Sequence, residues 1–402
     1  MNLQIINQIL YPILCLAILT SILGYGHIIK KYNPLNEFYN FKNLIFIQGL
    51  MFVSFFTIIL NYITAITNIF SVLLLLIGSL IYFFYFLKLS NKKKEIKFLL
   101  IVILISFIIS FFSGVSDDFI YHYETIKNFK NYNLFEISHH RRISYNSHWL
   151  FLNSVFSIDY LTSTIFILAA LFYAIAVYDL YKFYQINFKN KNYFSGIISF
   201  LILIFCVGVL NKYKDFGTDI PGTIISFYIL IIIISFIFDK KGIRNNNLIF
   251  FIIPIISFAF IIKITNTLLV IFLILLVIKL NFKQINFKHL FISCLISVSL
   301  LLLWFFQNYI ISGCLIWPIE ITCFANNDLA LIEYYLIESF AKGDIQTTMN
   351  VNGFMWILTW IDNHSKKLLE TYLVFTLIIL FPLYYFLTKN SKIRKDTFNF
   401  YI

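Results

Sequence analysis

Apolar runs of membrane-crossing length follow one another along almost the whole chain: roughly 5–29, 43–63, 69–87, 98–114, 160–181, 193–211, 220–238, 247–263, 265–280, 290–310 and 368–387. A helix needs about 20 apolar residues to cross a hydrocarbon core of ~30 Å. Lipid offers no water to an unpaired N–H or C=O, so only helices and closed barrels can run through it. These runs lack the strict two-residue alternation of barrel strands and are too long for them. The pattern predicts an all-α polytopic integral membrane protein with about eleven transmembrane helices. Composition agrees, with 60% hydrophobic and only 12% charged residues, far from soluble averages. The first run has no basic leader and no small-residue cleavage site, so it reads as a retained helix.

Orientation follows from Lys and Arg, which accumulate in cytoplasmic connections. The loops 30–42, 88–97, 182–192, 239–246, 279–289 and 388–402 hold 21 of the 31 basic residues, and the alternate set holds 10. This predicts a multi-pass protein of the cytoplasmic membrane, N-terminus out and C-terminus in, with two long extracytoplasmic loops near 115–159 and 311–367. The net charge of +12 is then a topology signal plus attraction to anionic headgroups, and nucleic-acid binding is excluded as its cause. Cys15, Cys206 and Cys294 fall within spans. Cys314 and Cys323 share the last outer loop, where an oxidising compartment would allow either a disulfide or two free thiols.

The first long outer loop concentrates the polar chemistry of the chain: Asp117, Asp118, His122, Glu124, His139, His140, Arg141, Arg142 and His148. A carboxylate at a membrane boundary can serve as general base or help to hold a divalent cation. Ser116 and Asp117 equally suit the N-cap of an interfacial helix over 119–130, on which Asp118 and His122 would share a face. Arg141 and Arg142 offer planar forks suited to phosphate, and lipid headgroups are their alternative partner. Residues 148–157 read as a short helix lying in the membrane interface. Asp219 suits a helix cap before Pro221. Lys263, inside apolar sequence, either snorkels or pairs with an acid or a phosphate.

Five segments occur in a recognisable order: DDFIYH (117–122), H-x-R-x-x-Y-N-S-x-W (140–149), TDIP (218–221), IKIT (262–265) and W-x-x-x-N-x-x-x-S-G (304–313) followed by WP (317–318). Together they resemble a branch of bacterial polytopic membrane proteins similar to GT-C-type glycosyltransferases, enzymes that use polyprenyl-phosphate-linked sugar donors. The resemblance implies a three-helix extension (1–97), a seven-helix core (98–310), a long extracytoplasmic loop (311–367) and a final helix with its tail (368–402). It implies Asp117 or Asp118 as catalytic base, and His122, His140, Arg141, Arg142, Asn146, Asp219, Lys263 and Asn308 as residues that bind substrate or phosphate. A divalent cation, Mg or Mn, is optional, with Asp118, His122 and Asp219 as its ligands. Gln307 stands where this branch usually carries Arg.

The expected activity is transfer of a sugar from a polyprenyl-phosphate carrier to a lipid-linked or cell-surface acceptor, outside the membrane. The expected partners are membrane lipids, the donor and the acceptor. A polymerase of polysaccharide repeat units is the alternative enzyme, and a flippase or transporter of lipid-linked glycan the alternative outside enzymes. Against the transporter stand the absence of an inverted repeat and the gathering of charge in loops.

Overall fold

The computed structural model describes residues 3–32, 41–111, 118–137, 147–158, 164–190, 193–208, 219–238, 248–279, 286–317, 319–324, 331–332 and 335. Most of these residues are helical, and no strand is assigned among them; an isolated bridge joins Cys314 and Cys323. In chain order the helices are α1 (Leu3–Tyr32), α2 (Lys42–Asn61), α3 (Asn68–Leu87), α4 (Lys92–Phe111), α5 (Asp118–Asn131), α6 (His148–Phe156) and α7 (Thr164–Lys189). They continue with α8 (Tyr193–Gly208), α9 (Asp219–Phe238), α10 (Leu248–Ile262), α11 (Leu269–Lys279) and α12 (Phe287–Ser312). Five segments are long and apolar enough to cross a membrane: Leu10–Ile29, Lys42–Asn61, Asn68–Leu87, Ile167–Lys189 and Phe287–Ser312.

The expected run 265–280 takes a different form. It divides into a 3-10 turn, Ile264–Leu268, and the 11 residues of α11. The expected last span, 368–387, lies outside the described residues.

Lipid supplies little drive for helix association, so membrane helices approach closely where side chains are small. The chain does this at α1. A methyl added at Gly24 would lie 3.0 Å from the carbonyl carbon of Gly78 and from the backbone nitrogen of Tyr82, and closer still to the Gly78 carbonyl oxygen. Gly49 of α2 meets the Ile22 backbone in the same way. Thr20 Oγ1 and Ser79 Oγ then share a hydrogen bond of 3.0 Å, and Tyr25 donates to the Leu74 carbonyl at 2.8 Å.

One end of this bundle carries a buried ionic knot. Glu95 receives Lys42 Nζ at 2.7 Å and the Tyr82 hydroxyl at 2.6 Å. Phe41 precedes α2 without a side-chain cap, and Asp179 of α7 supplies one by accepting the Asn43 backbone N–H at 2.6 Å. A carboxylate at a helix N-terminus meets both an orphan donor and the positive end of the helix dipole. The opposite end is built differently and holds those residues singled out in the sequence whose side chains are described, His122, Lys263 and Asn308.

Candidate functional site

Helix α5 follows from its pattern. His122, Thr125, Ile126, Phe129 and Lys130 are buried while Tyr123, Glu124 and Lys127 are exposed, the three-and-four spacing of a one-faced helix. Its span matches the expected 119–130 closely, and Asp118 and His122 stand one turn apart on it. Its C-terminal part is riveted to the α2–α3 turn. Ile66 N donates to Phe129 O at 3.1 Å, Leu134 N to Asn61 O at 2.9 Å, and Asn61 Nδ2 to Tyr132 O at 3.3 Å. Lys130 Nζ donates to Ser157 O at 2.7 Å and to Asn68 Oδ1 at 2.5 Å. Phe129 meets Phe151 of α6 edge-on at 5.1 Å.

Helix α6 confirms the short helix over 148–157 and corrects its place. All nine of its residues are buried, so it lies inside the bundle and not along the interface. HWLFLNSVF is apolar on nearly every side, and such a helix has no polar face to offer to headgroups. Ser147 caps it, accepting from Trp149 N at 3.3 Å. His148 hydrogen-bonds Ser54 in α2 through Nε2, and its ring meets Phe151 and Phe258. Burial pushes the His148 imidazole down to about 3, so it stays neutral at ordinary pH. Trp149 packs on Phe172 at 5.7 Å.

The Ser147 hydroxyl donates to the Ile262 carbonyl at 2.7 Å, which joins the last residues of H-x-R-x-x-Y-N-S-x-W to the start of IKIT. There α10 stops: Lys263 is extended (φ −151°, ψ 121°), half-buried, and opens the 3-10 turn. Asn266 closes that turn, with Nδ2 donating to Ala259 O at 2.8 Å and Oδ1 accepting from Ser226 Oγ at 3.2 Å. A methyl at Gly222, the residue after TDIP, would come within 2.7 Å of Asn266 Nδ2. TDIP and IKIT are therefore adjacent because a glycine lets α9 approach the turn.

The end of α12 joins the same region through Tyr62. Its hydroxyl donates to Leu303 O at 2.9 Å, and its ring lies 5.4 Å from Phe306 and 6.2 Å from Phe135 just beyond α5. Trp304 packs on Phe260 of α10 at 5.5 Å. Asn308 is buried and donates through Nδ2 to Leu315 O at 3.0 Å, so it holds the loop that follows α12. Gly313 (φ 74°) ends the helix in the left-handed region where glycine is favoured. Cys314 and Cys323 are disulfide-bonded, which decides between the two states that the spacing left open.

Of the residues expected to act, His122 is buried in α5, Lys263 sits at the α10 break, and Asn308 lies beneath the last loop. Asp117, His140, Arg141, Arg142 and Asn146 lie outside the described residues. So do the side chains of Asp118 and Asp219, whose backbones begin α5 and α9. Of the three expected cation ligands only His122 has a described side chain, and no step is derived through a metal. The structure adds Lys130, Ser147, His148 and Asn266 as residues that hold the site together. Lys130 was findable, since it falls four residues after Ile126 and so belongs to the buried stripe of α5. Neither a curated protein nor a solved structure matches the chain. Residues 9–402 match the family described as a domain of unknown function, DUF8201, and the chain belongs to that family.

Proposed function

We infer that the protein is a membrane glycosyltransferase, moving a sugar from a polyprenyl-phosphate-linked donor to a lipid-linked or cell-surface glycan on the extracytoplasmic face. The observation that carries this reading is the gathering of separate chain segments at one end of the bundle. Helix α5 after Asp117, the head of α6 after Arg142 and Asn146, the start of α9, Lys263 and the end of α12 are linked there by the contacts of Phe129, Ser147, Gly222 and Tyr62. The Cys314–Cys323 bond follows α12 at that same end and favours an oxidising compartment around it. The finer architecture proposed with this function is eleven spans with a GT-C-like core over 98–310.

In the proposed reaction Asp117 or Asp118 takes the proton of the acceptor hydroxyl as its oxygen bonds to the anomeric carbon. The bond from that carbon to the carrier phosphate oxygen breaks, and the phosphate leaves with the electron pair. Arg141, Arg142 and Lys263 neutralise the charge that builds on it. His122, His140, Asn146 and Asp219 position the two substrates. Loss of the gene should make a lipid-linked glycan lacking one sugar accumulate, and an unchanged glycan profile would overturn the reading. A double Asp117→Asn, Asp118→Asn variant that folds and inserts should transfer sugar ~10²–10⁴-fold more slowly, the usual loss for a missing general base. A near-wild-type rate would remove the base assignment.

A further inference from the structure

A half-open cavity of about 440 Å³ lies between α1, α2, α10 and α12. Its walls are apolar, with Met51, Phe55, Phe251 and Leu295 among them, and only Gln48 and Ser299 bring polar atoms. The volume falls within the ~300–1,000 Å³ of small-molecule sites. Gln48 is buried, and its Oε1 has no hydrogen-bond partner. A carboxamide can present either end after a flip, so Gln48 offers this apolar groove one donor or acceptor that the protein leaves unused. Buried polar groups are normally paired, which makes an orphan in a cavity wall a pointer to something bound there.

The mouth of the groove is basic. Phe250, in its wall, lies 5.9 Å edge-on from His289, and the adjoining Lys288 is exposed on the first turn of α12. The depth is equally informative: Phe250 is the third residue of α10, whereas Ile262, bonded to Ser147, is its last. At ~1.5 Å per residue the groove's wall on α10 runs from about 18 Å (Phe250) to about 10 Å (Ile255) short of Ile262, on the half of the helix away from the candidate site.

We propose that this groove holds one acyl chain of an anionic phospholipid from the leaflet opposite the candidate site, with Gln48 bonded to its ester region and Lys288 beside its headgroup. An apolar recess within hydrocarbon takes up a chain and not water, and a cationic rim selects a negative headgroup over a neutral one. The proposal rests on the membrane-spanning reading of α1, α2 and α12 and is independent of the proposed sugar transfer.

The test is native mass spectrometry of the purified full chain, delipidated and then mixed with equal phosphatidylglycerol and phosphatidylcholine. Wild type should retain one phosphatidylglycerol under activation that strips the other lipids. Ser299→Trp, which fills the groove, should lower that occupancy about tenfold or more, and Lys288→Glu should erase the preference for phosphatidylglycerol. Gln48→Leu, which matches the apolar wall, supplies a second, milder variant should Ser299→Trp fail to yield monodisperse protein. Unchanged retention in a well-folded groove variant would overturn the proposal. So would displacement of the bound lipid by added polyprenyl phosphate, which would give the groove to the donor tail. Sugar transfer is measured separately on the same variants, so loss of one reading leaves the other standing.

Discussion

Replacing Lys130 with Met tests whether α5 is held where the site needs it. Methionine keeps the reach and the apolar stem of lysine but removes the ammonium, which donates to Ser157 O at 2.7 Å and to Asn68 Oδ1 at 2.5 Å. Hydrogen bonds to charged groups contribute about 1.5–3 kcal/mol each, and the variant also leaves the buried Ser157 carbonyl without this donor. Part of the loss is returned, because Lys130 is buried and holding an ammonium there costs desolvation. A net penalty of about 2–4 kcal/mol on the docking of α5 is the result, or roughly 30- to 700-fold in its opening equilibrium. Hydrogen–deuterium exchange in nanodiscs reads this directly. Amides of 118–137 and 147–158 should exchange at least about 30-fold faster in Lys130→Met, with those of α1 and α3 unchanged. The proposed sugar transfer should fall in parallel, since Asp118 and His122 ride on α5. Exchange of both segments within about threefold of wild type would refute the view that Lys130 tethers this helix.

The glycine crossing predicts that Gly24→Ala lowers thermal stability in detergent by about 1–3 kcal/mol, the usual cost of overpacking. Gly208→Ala, whose methyl meets nothing within 4 Å, should differ from wild type by less than ~1 kcal/mol in the same melt. The disulfide predicts that mass tagging of denatured, unreduced protein counts three reactive thiols, Cys15, Cys206 and Cys294, and that prior reduction exposes Cys314 and Cys323 as well. In the proposed orientation, a cysteine at Asn133 should react with an impermeant thiol reagent applied to intact cells and one at Asn91 should not. The reverse pattern would invert the topology.

The fold was legible where the physics is local. Runs of apolar residues announce helices whatever their neighbours, and ten of the eleven expected runs fall on α1–α4 and α7–α12. Helix α5 was equally readable, because its buried stripe and its boundary polar residues are written within fourteen positions. The departures came where length and partners decide. Residues 265–280 read as one uniform run by hydropathy, but the run opens as a 3-10 turn in which Asn266 bonds to Ala259 and Ser226. Helix α6 looks interfacial because it follows a charged loop. Its burial depends on the walls that α2, α7 and α10 provide, and no window of sequence contains those walls. The Lys42–Glu95 pair and the cap from Asp179 to α2 were hidden for the same reason, since their partners are 53 and 136 residues apart.

The burial of α6 also bears on how the site is organised. A helix lying on the headgroups would leave the His140–Asn146 stretch attached at its far end to something mobile. Instead the residues that follow it are fixed on two sides: Ser147 to the last carbonyl of α10, His148 to Ser54 within α2. The Ile262 carbonyl that accepts Ser147 lies at a helix end, where it has no intrahelical partner to lose. Thus the break after α10 does two jobs. It exposes an acceptor that anchors Ser147 at the head of α6, and it sets the extended Lys263 at the next position of the chain. A rigid site needs its binding groups on elements held by their own packing. Here Ser147, five positions after Arg142, and Ile262, the residue before Lys263, share one hydrogen bond, so a change at Ser147 should be felt at the α10 break.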